Sequence, residues 1–160
     1  EVAYQGVLRG ELELALITLS LTPDDNINSI PIWQDALQYV VSRDHPLANE
    51  QHVSLEQLTR YTAILPDQNT FTRQLVEQLF ERHNLQLDAG MSTNYLDTIR
   101  MMVTIGLGWS LLPESLVRDD LHVLPVEAEP VFRQLGVIHH RNRTLSNAAR
   151  HLVEMLPVAK

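Results

Sequence analysis

The chain has 160 residues, of which 44% are hydrophobic, carries a net charge of −8 and contains no cysteine. This length and composition allow one compact domain or two small lobes, and the missing cysteine excludes disulfides, thiolate metal sites and thiol nucleophiles. The acidic charge disfavours binding to phosphate backbones, and no apolar run reaches the roughly 18 residues that span a bilayer. We therefore expect a soluble chain that contacts neither nucleic acid nor membrane itself.

The N-terminal part of the chain predicts a helix end followed by two extended segments. Residues 1–10, EVAYQGVLRG, are typical of the last turns of a helix, with Gly10 just past its end. Leu12–Thr18 is apolar at nearly every position, which predicts a strand buried on both faces of a parallel sheet. Ile30–Ser42 is predicted as extended and Arg43–Glu50 as a loop.

Two helices with preceding strands are predicted in the middle of the chain. Ser54 and Gln57 have the spacing of a capping box, which predicts a short helix before the strand Tyr61–Leu65. A helix is then expected from about Thr70 to His83. Its apolar face comprises Phe71, Leu75, Val76, Leu79 and Phe80. The next strand is LQLDAGM, and the following helix has Leu96, Ile99 and Val103 at helical spacing.

The last third of the chain predicts three strands, GWSLLP, LHVLP and VFRQLGVIHH, and a terminal helix over Leu145–Leu156. The inward positions of that helix are Leu145, Ala148, Ala149, Leu152, Met155 and Leu156. Because strands alternate with helices, we predict an α/β fold with mainly parallel sheets. A doubly buried first strand needs neighbours on each side, so we expect a preceding β-α-β unit of roughly 30 or more residues to be missing, and the chain to be a fragment.

Polar residues lie at the start of both middle helices, where a ligand could bind. Ser92, Thr93 and Asn94 precede one, and Asp67–Thr70 precede the other, each cluster just after a strand. Helix N-termini present unpaired N–H groups and the positive end of the helix dipole, and open α/β sheets bind ligands beyond the carboxyl ends of their strands. The commoner reason for such residues is capping. Arg73 and Arg100 could pair with an anionic ligand, although a solvated salt bridge such as Asp97–Arg100 is the default interpretation.

No pattern predicts a catalytic or metal site. Gly106 and Gly108 follow a helix and precede a strand, so they predict a helix end and a tight turn rather than a phosphate loop. Adjacent residues of a strand point to opposite faces, so His139 and His140 cannot jointly hold one ion. Ser110 is not in a G-x-S-x-G elbow. We predict a protein that is not an enzyme and that uses no metal or other cofactor.

The order of five motifs resembles the effector-binding domain of LysR-type transcriptional regulators. The motifs are LRGELELAL, RDHPLA, VSLEQL, IGLGWSLLP and RNRTLSNAARHLVEML, and the match runs from about Leu8 to Leu156. Glu13 replaces the common aspartate, and Gln57 replaces the common acidic residue. Trp109 replaces a smaller aliphatic residue, and we expect it to narrow or line a ligand pocket.

The resemblance implies a two-lobed periplasmic-binding-protein-like fold whose effector lies in the cleft between the lobes. Lobe I would comprise residues 1–29 and 135–160, without its first β-α-β part, and lobe II residues 30–134. The winged helix-turn-helix that binds DNA would be absent from this chain. The full protein would be a cytoplasmic homodimer or homotetramer that binds DNA and a small-molecule effector but no membrane.

The same resemblance implies the residues of the effector site. The effector would be a small metabolite, most simply a carboxylate or another anion, held by N–H groups and hydroxyls. The predicted ligand-binding residues are Thr18, Asp67, Gln68, Asn69, Thr70, Phe71, Ser92, Thr93, Asn94 and Tyr95.

Two other classes of protein share this architecture. A secreted periplasmic solute-binding protein has the same fold but would need a signal peptide upstream. An enzyme with similar lobes, such as a porphyrin-forming deaminase or a transferase, would need a catalytic cysteine or an acid–base pair, and the absence of cysteine disfavours the deaminase.

Overall fold

The computed structural model describes residues 2–157 and divides the chain into two compact units. Unit 1 comprises the described residues up to Asp35 and those from Phe132 onward, and unit 2 is Ala36–Val131. The lobe boundaries expected from the sequence, near residues 29 and 135, stay a prediction.

The helices and strands follow the predicted order. The helices are α1 (Val2–Arg9), α2 (Leu55–Leu58), α3 (Phe71–Arg82), α4 (Leu96–Thr104) and α5 (Asn147–Met155). The strands are β1 (Leu14–Thr18), β2 (Ile27–Ser42), β3 (Ile64–Leu65), β4 (Met91–Ser92), β5 (Ser110–Pro113), β6 (Leu121–Val123) and β7 (Val131–His140). Short 3-10 helices cover Pro46–Asn49, inside the predicted loop, and Glu114–Leu116.

Local signals in the sequence correctly predicted several helix ends. Ser54 caps α2 by accepting from the Gln57 N–H, and the Gln57 side chain accepts from the Ser54 N–H, so the capping box is confirmed. Gly10 and Gly106 have φ of 76° and 85°, the left-handed conformation that ends α1 and α4 without the strain a Cβ would cause.

The prediction of mainly parallel sheets is wrong for the main sheet. Its order is β1-β7-β2-β5, with β6 also paired to β2, and the β1–β7, β2–β5 and β2–β6 pairs are antiparallel. Within the described chain, parallel pairing occurs between β3 and β4 and at two isolated bridges. An apolar run indicates that a strand is buried but does not specify the direction of its neighbour, which here comes from a distant part of the chain.

Two predicted apolar faces in unit 1 are more exposed than expected. In β1 only Ala15 is buried and Leu16 is 51% exposed, so this strand is not buried on both faces. In α5 Ala149 is buried, whereas Met155 is 70% exposed. The hydrophobic pattern identifies a face that can be buried, but burial also requires a neighbouring element, and none of the described segments covers these positions.

The core of unit 2 contains Trp109, contrary to the prediction that this residue lines a ligand pocket. Its side chain is fully buried, and its indole N–H donates to the carbonyls of Leu58 (3.0 Å) and Tyr61 (3.1 Å). The rings of Phe80 and Tyr39 lie 5.8 Å and 6.2 Å from it. A large indole is accommodated here because its polar atom has partners within the core.

The histidine of the RDHPLA motif has a structural role. His45 is buried, its Nδ1 accepts from the Leu47 N–H at 3.2 Å, and it thereby caps the 3-10 helix Pro46–Asn49. The centroids of its ring and of the Tyr61 ring lie 4.7 Å apart in a T-shaped arrangement. Burial lowers the pKa of His45 below its usual value of 6.5, which favours the neutral imidazole that this cap requires.

Candidate functional site

The first predicted cluster lies between β3 and α3 in unit 2, and its hydroxyl group is used by the fold. Thr70 is the N-cap of α3, and its Oγ1 accepts from the Arg73 N–H at 3.3 Å. The same hydroxyl donates to the Asp67 carbonyl at 2.8 Å, and the Thr70 N–H donates to that carbonyl at 2.9 Å. The capping interpretation of Thr70 is therefore confirmed.

The second predicted cluster lies between β4 and α4, and this helix begins differently. Tyr95 is the N-cap, yet it is 74% exposed and its side chain makes no capping hydrogen bond. The Thr93 hydroxyl accepts from the Tyr95 N–H at 3.4 Å, one residue before the helix. Over the described chain, the N–H groups of the first turn of α4 have no side-chain acceptor. They are available to an acceptor atom of a ligand.

The two clusters lie side by side because β3 and β4 are parallel neighbours, with Leu65 opposite Ser92. The Thr93 N–H donates to the Leu65 carbonyl at 3.3 Å. The Asp67 N–H donates to Asn94 Oδ1 at 3.0 Å, and Asn94 Nδ2 donates to Asp67 Oδ2 at 2.7 Å. The amide of Asn94 therefore joins the two clusters and does not cap its own helix.

The remaining predicted site residues differ in where they lie. Thr18 is the last residue of β1 in unit 1, paired with Leu135. Gln68, Asn69 and Ser92 are exposed, and Phe71 is partly buried at the first position of α3. The structure thus brings together nine of the ten residues within unit 2, and the ligand-binding role of all ten stays a prediction.

The arginines near the two helix starts have partners within the protein. Arg73 Nε donates to Glu77 Oε1 at 2.7 Å, and Arg100 Nη1 lies 2.6 Å from Asp120 Oδ2. The expected pairing of Arg100 with Asp97 is wrong, because Asp120 reaches the guanidinium from the loop before β6. The charged side chains within the two clusters and the first turn of α4 are Asp67 and Asp97, so main-chain N–H groups are the donors that could offset a ligand's negative charge there.

Comparison with known proteins identifies the family of the chain. Residues 1–158 match the family model of the LysR substrate binding domain. The chain belongs to the LysR substrate-binding domain family. It is 30% identical over 142 residues to the uncharacterized HTH-type transcriptional regulator YybE of Bacillus subtilis (strain 168), covering 88% of the chain and 48% of that relative. It is also 30% identical over 136 residues to the HTH-type transcriptional activator CmpR of Synechocystis, covering 82% of the chain and 45% of the relative. The chain thus spans about half the length of these curated relatives.

Two solved structures of regulatory domains share the fold of this chain. The Synechocystis PCC6803 CcmR regulatory domain, solved in complex with 2-PG, has a TM-score of 0.80 at 22% identity and covers 94% of this chain and 74% of its own. The effector-binding domain of QuiR, solved in complex with shikimate, has a TM-score of 0.83 at 22% identity over 94% and 72% of the two chains. The LysR-type, periplasmic-binding-protein-like α/β fold is therefore confirmed.

The matched relatives bear on the alternatives left open by the sequence. Their names describe transcriptional regulators, neither enzymes nor solute-binding proteins. Across residues 2–157, no helix is both long and apolar enough to cross a bilayer, and no three metal-ligating side chains cluster together.

Proposed function

We propose that this chain is the effector-binding domain of a cytoplasmic LysR-type transcriptional regulator. The full protein would bind DNA through a winged helix-turn-helix outside this chain and would act as a homodimer or homotetramer. The proposal is supported by the family match over residues 1–158 and by relatives named as transcriptional regulators. It is supported further by two solved relatives of the same fold that hold small molecules, 2-PG in one and shikimate in the other.

The proposed effector is a small metabolite with a carboxylate or another anionic group, bound at the edge of unit 2 formed by Asp67–Phe71 and Ser92–Tyr95. The observation that carries this assignment is the beginning of α4, whose first-turn N–H groups lack a side-chain cap. These N–H groups and the positive end of the helix dipole favour an anionic acceptor. The Asp67 carboxylate repels an anionic ligand less than a carboxylate without a partner would, because Asn94 Nδ2 donates a hydrogen bond to Asp67 Oδ2.

Effector binding would regulate transcription by favouring one arrangement of the regulator over another. A ligand shifts such an equilibrium only by the difference in its affinity for the two states. Contacts to α4 and to the loop before α3 would provide that difference. The favoured arrangement would set the spacing of the DNA-binding domains.

The test is a thermal-shift screen of the full-length protein against carboxylates, amino acids and inorganic anions, each organic acid paired with its neutral primary amide. We expect a saturable rise in melting temperature for one acid, with a much smaller rise for its amide. The rise should be lost in Thr93→Trp and kept in Thr59→Trp, which makes the same change elsewhere in unit 2. Equal binding of acid and amide, or binding that Thr93→Trp leaves intact, would contradict the proposed site.

A further inference from the structure

We propose that a cavity beside α3 is a second small-molecule site in unit 2 and takes a zwitterion with an apolar body, such as an aliphatic amino acid. The cavity has a volume of about 260 Å³ and is bordered by α3 and the chain segment that follows it. It contains none of the residues of the proposed effector site, so it would be a separate site.

The positive wall of the cavity is a buried arginine with unused donors. The Arg73 side chain is 6% exposed, and its Nε donates to Glu77 Oε1 at 2.7 Å. Neither Nη group has a hydrogen-bond partner among residues 2–157, and Arg73 is one of the residues that line the cavity. A guanidinium has five N–H donors, and unpaired donors on a buried side chain favour an acceptor from outside the protein.

The negative wall is Glu81, whose carboxylate has no ion-pair or hydrogen-bond partner in the part of the chain that the structure describes. Residues 73, 77 and 81 lie four apart on one face of α3, which places Glu81 about 6 Å along the helix from Glu77. Because Arg73 extends to Glu77, its guanidinium and the Glu81 carboxylate lie along the same face of α3, about one helical turn apart.

The floor of the cavity is apolar. Phe80 is buried, and Leu85 and Leu87 are partly buried against the core of unit 2. An aliphatic side chain of a ligand would displace water from these surfaces, which favours a ligand with an apolar body.

The charges on the walls decide between classes of ligand. A simple anion would meet the carboxylates of Glu77 and Glu81 as well as Arg73, and a simple cation would leave the Arg73 donors unpaired. A zwitterion places its carboxylate on Arg73 and its ammonium on Glu81, so it satisfies both unpartnered groups at once.

The experiment uses nuclear magnetic resonance on the 160-residue chain with three probes that share one apolar body: L-leucine, 4-methylpentanoate and 3-methylbutylamine. The last two lack the ammonium group and the carboxylate, respectively. We expect L-leucine to shift the amide signals of Leu85, Gln86 and Leu87 saturably, and each of the other two probes to bind at least tenfold more weakly.

Variants test the role of each wall. Glu81→Gln, at an exposed position, should weaken L-leucine binding at least tenfold. The same variant should not weaken 4-methylpentanoate binding, because it removes a carboxylate that repels this probe. The matched surface variant Glu114→Gln should change neither. Arg73→Lys keeps the positive charge but removes the forked N–H donors. It should therefore weaken the binding of both probes that carry a carboxylate, L-leucine and 4-methylpentanoate.

Three results would overturn the proposal. The first is the absence of a saturable shift at these amides up to about 10 mM L-leucine, which is well above a millimolar dissociation constant. The second is equal binding of the three probes, and the third is shifts confined to residues 93–96. The third result would place L-leucine at the proposed effector site instead, so the two proposals can fail separately.

Discussion

The starts of α3 and α4 are two similar sequences that the fold uses differently. Both follow a strand of the same parallel pair, and both are preceded by small polar residues. In α3 the Thr70 hydroxyl accepts from the Arg73 N–H, so the helix end is satisfied internally. In α4 the side chain of Tyr95 does not cap, and Asn94 is bonded to Asp67 across the strand pair. A polar cluster before a helix therefore leaves main-chain N–H groups open to an outside acceptor only where its side chains do not already cap them.

The largest effect should be on effector affinity, and it should come from a bulky side chain at the start of α4. Thr93→Trp should weaken effector binding at least about a hundredfold, equivalent to about 2.8 kcal/mol, since each tenfold change is about 1.4 kcal/mol. Within the described residues the Thr93 side chain makes one long hydrogen bond, so the variant should still unfold cooperatively. Isothermal titration with the effector found in the screen measures the loss, and Thr59→Trp provides the matched control. If Thr70→Trp abolished binding while Thr93→Trp did not, the assignment of the two helix starts would be reversed.

The next largest effect should be on the free energy of unfolding, and it should come from the cap of α3. Thr70→Val removes the hydroxyl that caps α3, so the free energy of unfolding should fall by about 1 kcal/mol. Thr70→Ser keeps the hydroxyl and should lose much less. Urea unfolding of the three proteins measures the difference. Equal stability of the Val and Ser variants would show that the Thr70 hydroxyl contributes no capping energy.

A smaller effect should follow from separating the two clusters. Asn94→Ala removes both hydrogen bonds to Asp67, and we expect unfolding to become easier by about 0.5 kcal/mol because these bonds are exposed. Effector affinity should fall a few-fold, because the loop before α3 loses its connection to α4. Asn49→Ala is the control, since it removes an exposed amide of unit 2 that lies outside the proposed site and has no side-chain hydrogen bond within the described residues. Identical behaviour of the two variants would argue against a role for the Asn94–Asp67 link.

The smallest expected effect is on the pH dependence of stability. It concerns His45, a titratable residue that caps the 3-10 helix Pro46–Asn49. Burial lowers the pKa of His45, so the unfolded chain binds this proton at a higher pH than the folded chain does. The contribution of His45 to the free energy of unfolding is therefore complete above pH 6.5, the pKa of this residue in the unfolded chain. It decreases as the pH falls from 6.5 towards the lower pKa of the folded state.

The measurement for His45 is urea unfolding at several pH values between about 5 and 7. His45→Asn supplies an oxygen that can accept from the Leu47 N–H but does not titrate, so stability should depend less on pH in this variant. An unchanged pH dependence would show that His45 is not the titrating group.

The predictions that succeeded depended on residues close together in sequence. The capping box of α2, the left-handed glycines after α1 and α4, and the span of α3 each follow from patterns within about one to three helical turns. Such patterns specify backbone conformation locally because capping and glycine conformation involve neighbouring residues. The order of five such motifs was also sufficient to indicate the LysR family, which the match over residues 1–158 confirms.

The features that the sequence could not specify depend on pairs of residues far apart in the chain. The antiparallel pairing of β1 with β7 joins Leu14 to His139, and the link between the clusters joins Asp67 to Asn94. Strand direction, the choice of Asp120 as the partner of Arg100 and the burial of Trp109 likewise arise only when distant segments pack together. The sequence by itself determined which segments form helices, where those helices end and to which family the chain belongs. The tertiary structure decided which polar groups are satisfied internally, because a donor's partner is set by three-dimensional proximity rather than by sequence separation.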